Sequence, residues 1–295
     1  ATDAWSALES QDCTGTNYQT KHFIQTFTCG EISADVEYKF NASDATGFGD
    51  ETSAIPITIE KDDVIISLVT GHNSNVNREG SSNVLLRVSA ADQDKSGAAL
   101  PAGVNGTFWL TTDGSTSDAG TINSTDSAGN FSLYFEPSCS YATGAQKWQG
   151  GVRNSTCYKD KMSTNFTVNS TGQLKLNVSA PTVNQSFNVS NSVLFRMNVT
   201  TDCSADGAIE NTTSSFELQS PSSAWEACTP VNNETASVGY YNCTWDSTSK
   251  DEGNWSLMVN TSVGAYNLNS TLYTNYFQLN DFPPNATGMN VSPLS

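Results

Sequence analysis

Residues 192–200 read Ser192-Val193-Leu194-Phe195-Arg196-Met197-Asn198-Val199-Thr200. Val193, Phe195, Met197 and Val199 fall on one face of a period-two pattern, and Arg196 and Asn198 fall on the other. A half-buried antiparallel strand gives this pattern, because successive side chains point to opposite faces of the sheet. The same alternation recurs along the chain. Trp255, Leu257 and Val259 oppose Asn254, Ser256 and Asn260. Leu174, Leu176 and Val178 oppose Lys175 and Asn177, while Phe131, Leu133 and Phe135 oppose Asn130 and Ser132. Val36, Tyr38 and Phe40 oppose Glu37 and Asn41. Clusters of Gly, Asn, Asp and Ser punctuate these runs, and no long amphipathic helix is visible. The expected fold class is all-β, built from antiparallel sandwiches.

Working outward, the opening stretch has a partner. Asn83-Val-Leu-Leu-Arg-Val88 matches Ser192-Val-Leu-Phe-Arg-Met197, and Asp92 and Gly97-Ala98 match Asp202 and Gly207-Ala208. Gly129-Asn-Phe-Ser-Leu133 matches Gly253-Asn-Trp-Ser-Leu257. Thr164–Asn169 matches Thr274–Asn280 with one insertion. The repeat predicts two complete units, 62–170 and 171–280. A unit of about 110 residues with some seven short strands has the size of an immunoglobulin-like sandwich.

The ends have a different character. Trp5, Cys13, Cys29, Val36–Ser43 and Ala54–Ile59 run in the order of Trp225, Cys228, Cys243, Trp255–Ser262 and Asn275–Leu279. Segment 1–61 therefore reads as the later half of a sandwich whose early strands are missing. In the tail, 281–295, Gly288-Met289-Asn290-Val291-Ser292-Pro293 resembles the first strand of the last unit. An incomplete sandwich exposes unpaired strand edges, which another chain could cover by donating a strand. Tail into head is a heterologous contact, and such contacts build filaments unless a ring closes. The alternatives are a piece of a longer tandem array with arbitrary ends, or a small β-domain complete in itself. Ala1 opens on a polar stretch, which reads as a mature N-terminus after signal removal or as a boundary within a longer chain.

Nineteen of the 29 asparagines lie in Asn-x-Ser/Thr with no proline between. Chance pairing would give about seven. They are Asn41, Asn105, Asn123, Asn130, Asn154, Asn165, Asn169, Asn177, Asn184, Asn188, Asn198, Asn211, Asn233, Asn242, Asn254, Asn260, Asn269, Asn285 and Asn290. Glycans are bulky and hydrophilic, so every used site must face solvent. In each alternating run the sequon asparagine is on the polar side. None lies between Asn41 and Asn105, although Asn73, Asn75, Asn77 and Asn83 do. A glycan-free face is what a subunit contact needs.

Seven cysteines suit the oxidising compartment that the sequons imply. Local spacing suggests Cys13–Cys29, Cys139–Cys157 and Cys228–Cys243, leaving Cys203 unpaired; Cys203–Cys243 with Cys228 unpaired is the alternative. The net charge of −17 argues against nucleic acid as a partner. No run of 18 apolar residues exists to span a membrane. Asp92, Asp94 and Ser96 before Gly97 resemble the start of a calcium loop, but position twelve is Gly103, and a plain turn is the better reading. Asp62-Asp63 and Asp281 sit at unit boundaries, where calcium could stiffen a rod. No other cofactor is expected. His22 and His72 lack any triad, P-loop or dinucleotide context, so no catalytic residue is assigned.

Cys243-Thr-Trp, Gly253-Asn-Trp-Ser-Leu-Met-Val-Asn, Tyr266, Tyr276-Phe and Pro283-Pro284 resemble the Ig-like repeats of archaeal-type cell-surface glycoproteins. The stretch from Gly129-Asn-Phe-Ser-Leu through Cys139-Ser-Tyr, Trp148 and Gly151 to Cys157-Tyr-Lys-Asp-Lys is similar to a module of such proteins. The resemblance covers 62–295. It implies a structural or adhesive surface protein, and some glycosylated filaments of this kind join Ig-like subunits by strand donation. The expectation is an extracellular, non-enzymatic subunit that joins copies of itself head to tail. An adhesin or ligand-binding ectodomain with Ig-like spacers is the alternative, and a carbohydrate-active enzyme a third.

Overall fold

The structure, a computed structural model, describes residues 7, 9–13, 20–32, 36–80 and 82–281. Among these it contains no α-helix, only two short 3-10 turns at Cys29–Glu31 and Ser204–Asp206. The N-terminal part carries β1 (Val36–Tyr38), β2 (Asn41–Ser43), β3 (Gly49–Glu51) and β4 (Ile55–Ile57). β2 pairs β3 inside the β1–β4 pair, so the four form one two-stranded ribbon.

The first sandwich comprises β5 (Val64–Thr70), β6 (Ser74–Asn77), β7 (Val84–Asp92), β8 (Ala98–Ala99), β9 (Asn105–Leu110), β10 (Thr121–Ser124), β11 (Asn130–Phe135), β12 (Gly144–Val152), β13 (Lys161–Met162) and the start of β14 (Phe166–Ala180). The second comprises the end of β14 with β15 (Gln185–Asn188), β16 (Ser192–Thr201), β17 (Thr213–Gln219), β18 (Glu226–Ala227), β19 (Asn232–Asn233), β20 (Tyr240–Asp246), β21 (Gly253–Ser262), β22 (Tyr266–Asn267) and β23 (Asn269–Asn280). In the first, the sheet β11-β7-β5 faces the sheet β10-β9-β12-β14, with β6 added parallel to β14. In the second, β14-β16-β20-β19 faces β15-β23-β21-β17-β18, with β15 parallel to β23. The chain is thus all-β, with two tandem Ig-like antiparallel sandwiches of the same strand order.

The alternating residues make the cores. Leu86, Val88, Phe108, Phe131, Trp148 and Val168 fill the first. Val193, Phe195, Met197, Phe216, Leu257 and Phe277 fill the second. Their intervening neighbours, such as Arg196, Asn198 and Asn254, stay at least partly exposed. The ribbon departs from this. Phe40 lies beyond the end of β1 and is exposed, because a two-stranded ribbon offers no second layer to bury against.

One repeat match is out of phase. Gly129–Leu133 was matched above to Gly253–Leu257, but β11 pairs β7 whereas β21 lies in the opposite sheet. Its true counterpart is Gly239–Cys243. The Ala90 N–H donates to the Gly129 carbonyl at 2.8 Å, and the Val199 N–H donates to the Gly239 carbonyl at 2.8 Å. Both glycines have φ of 75°. Sequence identity drew the wrong pairing because Gly-Asn-aromatic-Ser-Leu suits any strand entered from a glycine turn.

Candidate functional site: a locked junction and an open head

β14 is 15 residues long because it serves both sandwiches. Its Phe166–Ser170 part closes the first sandwich against β12, and Leu174–Ala180 opens the second against β16. A strand that belongs to two cores couples them through its own backbone. Gly172 sits at the crossing, and its N–H donates to the Ala265 carbonyl at 3.0 Å. A Cβ there would meet the Tyr266 ring at 2.5 Å, so only glycine lets β22 lie alongside.

Arg78 is the centre of the junction. It follows β6, is 1% exposed, and its backbone N–H donates to the Thr171 carbonyl at 2.8 Å. Its guanidinium reaches into the second sandwich, donating from Nη2 to Asp202 Oδ1 at 2.9 Å and to Asp206 Oδ2 at 2.5 Å. Nη1 donates to the Tyr141 carbonyl at 3.3 Å. Burial would push the Asp202 carboxyl up, but the Arg78 hydrogen bond, backbone hydrogen bonds and the Arg78 charge together outweigh it and hold the carboxyl below the usual range. Burial likewise opposes the Arg78 charge, and its two carboxylate partners overcome that and raise its pKa. A disulfide from Cys139 to Cys203 crosses the same seam. Asn267 Nδ2 adds a hydrogen bond to Asn77 Oδ1 at 2.9 Å.

This changes the cysteine assignment. The bonds are Cys29–Cys157, Cys139–Cys203 and Cys228–Cys243, and Cys13 is the exposed free thiol among the described residues. The expected Cys13–Cys29 and Cys139–Cys157 bonds do not form, and Cys203 is not the odd one. Cys139 and Cys203 lie in loops that meet at the seam. Cys29 bonds Cys157 in the loop between β12 and β13, which tethers the head to the first sandwich. Nearby, Lys61 Nζ donates to the Ser155 carbonyl at 2.6 Å, and Lys159 pairs with Glu60 and Asp63, both at 3.1 Å.

The head itself is open. Phe23, Ile24, Phe27, Phe40, Phe48 and Ile55 are exposed, with Ile24 at 87% and Phe48 at 79%. Phe23 and Tyr38 both contact the Phe40 ring, so these three side chains share one apolar surface.

Asp92, Asp94 and Ser96 do not converge on a cation. Asp92 Oδ1 accepts the backbone N–H groups of Asp94 and Lys95, and Oδ2 accepts Lys95 Nζ at 2.8 Å. Asp94 Oδ2 accepts the Asp63 N–H at 2.8 Å, away from Asp92. Burial would raise the Asp92 carboxyl, and Lys95 more than offsets it. The same ammonium reaches Asp62 at 2.8 Å. Two clusters of metal-ligand type do occur among the described residues, Glu79 with Cys139 and Cys203, and Asp202 with Cys203 and Asp206. Their sulfurs are in the seam disulfide, and Asp202 and Asp206 hold Arg78. His72 Nδ1 accepts the Thr167 N–H at 3.0 Å, which ties it to β14.

Of the sequon asparagines, Asn285 and Asn290 lie outside the described residues, as does the expected donor segment 288–293. None of the others is buried. Asn41, Asn105, Asn154, Asn165, Asn177, Asn184, Asn188, Asn211, Asn233 and Asn254 are exposed. Asn123, Asn130, Asn169, Asn198, Asn242, Asn260 and Asn269 are half-buried on the outward sides of their strands and loops. Arg78, Asp202 and Asp206 were not singled out from sequence as a set. The only trace was the equivalence of Asp202 with Asp92, which suggested a turn residue rather than an ion pair.

No family model matches the chain, and the search of curated proteins finds no match. Solved structures are similar in shape. The titin fragment I67–I69 aligns with a TM-score of 0.44 at 8% identity, covering 86% of this chain and 76% of that one. Extracellular domains 3–5 of Drosophila OTK align at 0.36 and 13% identity, covering 85% and 72%. A tetra-tandem repeat from the extending region of a large adhesion protein aligns at 0.33 and 16% identity, covering 81% and 56%. These scores are low, and the sandwich assignment rests on the strand order above. No helix among the described residues is long and apolar enough to cross a membrane.

Proposed function

We propose that this chain is an extracellular structural protein, N-glycosylated at its sequons, which polymerises head to tail by strand donation. The observation that carries this is the open head. Its ribbon has two strands where independent stability needs at least three, and its apolar side chains face solvent. A contiguous exposed apolar surface marks a place where another chain docks. A donated strand would add the missing hydrogen bonds and cover those side chains. The tail strand Gly288–Pro293 of a neighbouring copy is the proposed donor. Such a head-to-tail contact is heterologous and propagates.

Two further features support the reading. The locked junction makes the two sandwiches a stiff unit, which suits a load-bearing subunit. The absence of buried sequon asparagines leaves the described sites accessible to a sugar coat, and three disulfides suit an oxidising exterior.

Negative-stain microscopy of native material tests the assembly. Periodic fibres are expected, and deletion of 286–295 should abolish them. A monodisperse single rod would overturn polymerisation and favour an adhesin or ligand-binding ectodomain. Enzymatic or chemical deglycosylation followed by intact mass tests the coat. Loss of fewer than about six glycans would undo it.

A further inference from the structure

The two sandwiches share a strand order, but they treat one edge differently. β5 ends the sheet β11-β7-β5, as the second half of β14 ends the sheet with β16. The two edges correspond residue by residue. β5 runs against β7 with Leu68 opposite Val88 and, after a bulge, Thr70 opposite Arg87. β14 runs against β16 with Val178 opposite Met197 and, after a bulge at the same step, Ala180 opposite Arg196. Ile65, Ser67 and Val69 therefore occupy the places of Lys175, Asn177 and Ser179.

In the second sandwich that edge is protected. It presents a lysine and a sequon, two devices that keep foreign strands away. In the first, β5 carries neither device, and cover is confined to its N-terminal flank, where Asp62 bridges Tyr158 and β13 approaches β5. Ile65 is 44% and Val69 48% exposed, Leu68 is exposed as well, and 64–70 holds no charge and no sequon. Ser67 shares a row with Ser89 and Asn130, so the nearest sequon on that face is two strands in, about 10 Å from the edge.

We propose that the β5 edge is a lateral interface with the β5 edge of a second copy of this chain, paired antiparallel about a two-fold axis at Ser67. The strand is self-complementary in this register. Ile65 meets Val69 on the outer face, and Ile66 meets Leu68 on the inner. Opposed apolar and β-branched pairs of this kind stabilise a ladder, and no like charges meet. The bulge after Leu68 confines the shared ladder to the residues on either side of Ser67. The contact is isologous, so it closes on two copies and does not propagate. It uses neither the head nor the tail and is independent of the head-to-tail reading; in a filament it would join neighbours side by side.

Cross-linking of the full chain, in a Cys13→Ser background, tests it. The axis places the two Ser67 residues opposite each other, within disulfide reach. Under mild oxidation the Ser67→Cys variant should dimerise about a hundredfold faster than the Asn177→Cys control, because paired thiols have an effective concentration near millimolar. Adding Ile65→Lys should remove most of that advantage while leaving the exposed edge folded. Equal rates for the Ser67→Cys and Asn177→Cys variants would overturn the proposal. Deletion of 286–295 should leave the Ser67→Cys cross-link intact even where it abolishes fibres, so the two interfaces fail separately.

Discussion

Replacing Arg78 by Met removes the cation that pairs with Asp202 and Asp206 at the seam. Arg78 is 1% exposed, and the Asp202 side chain it holds is 5% exposed. Removing one partner of a buried pair strands the other as an uncompensated charge, a change that costs about 3–5 kcal/mol. Asp206 contributes less, because its side chain is 27% exposed and water can replace the guanidinium. The seam disulfide also holds the loop in place. The expected loss for Arg78→Met is therefore near the lower end, about 3 kcal/mol. Asp202→Asn alone should cost a similar amount, since it leaves Arg78 buried. The double variant should lose much less than the sum, with a coupling of about 1.5 kcal/mol or more. Urea unfolding at pH 7, followed by tryptophan fluorescence, measures this. Trp148 reports the first core, and Trp245 and Trp255 report the second. The pH dependence supplies a signed check. The Asp202 carboxyl is held below its unfolded value, so its contribution is complete above about pH 4 and is lost as pH falls through the lowered value. The gap between wild type and Arg78→Met should therefore narrow in acid. A loss under about 1 kcal/mol at pH 7, or additivity within about 0.5 kcal/mol, would refute the reasoning.

Other outcomes follow from the same seam. Replacing Cys139 and Cys203 by Ala opens a loop of 64 residues in sequence separation, worth about 4 kcal/mol in the chain-entropy treatment. Small-angle scattering should then show a broader spread of inter-sandwich angles, and an unchanged profile would mean β14 alone sets the angle. Gly172→Ala places a methyl against Tyr266 and should cost about 1–3 kcal/mol, read as a lowered melting temperature. Thiol alkylation of the folded chain should label Cys13 and spare Cys203; labelling of Cys203 would contradict the seam disulfide.

Much of the fold was legible in period two. Val193, Phe195, Met197 and Val199 alternate so strictly that only a strand buries all four, and the matching run at Val84–Val88 marks the equivalent strand of the other unit. The mismatch of Gly129–Leu133 shows the limit. Strands in opposite sheets obey the same alternation, so pattern identifies a strand without identifying its sheet. The ribbon shows another. Phe40 was read onto an apolar face because alternation predicts a face, but whether anything covers that face depends on what packs there.

By itself, then, the amino-acid order determined the all-β class and which side of each strand carries the sequon asparagines. Both follow from local geometry, where neighbours in sequence are neighbours on the strand. Only the tertiary structure decided the cross-links and the ion pair. Cys139 finds Cys203 across 64 residues, Cys29 finds Cys157 across 128, and Arg78 finds Asp202 across 124. Several loop closures of that length differ by less than about 1 kcal/mol in entropy, so spacing cannot choose among them. For Cys139–Cys203 and Arg78–Asp202 the choice came from β14, whose passage through both cores brings the loops of the two sandwiches face to face.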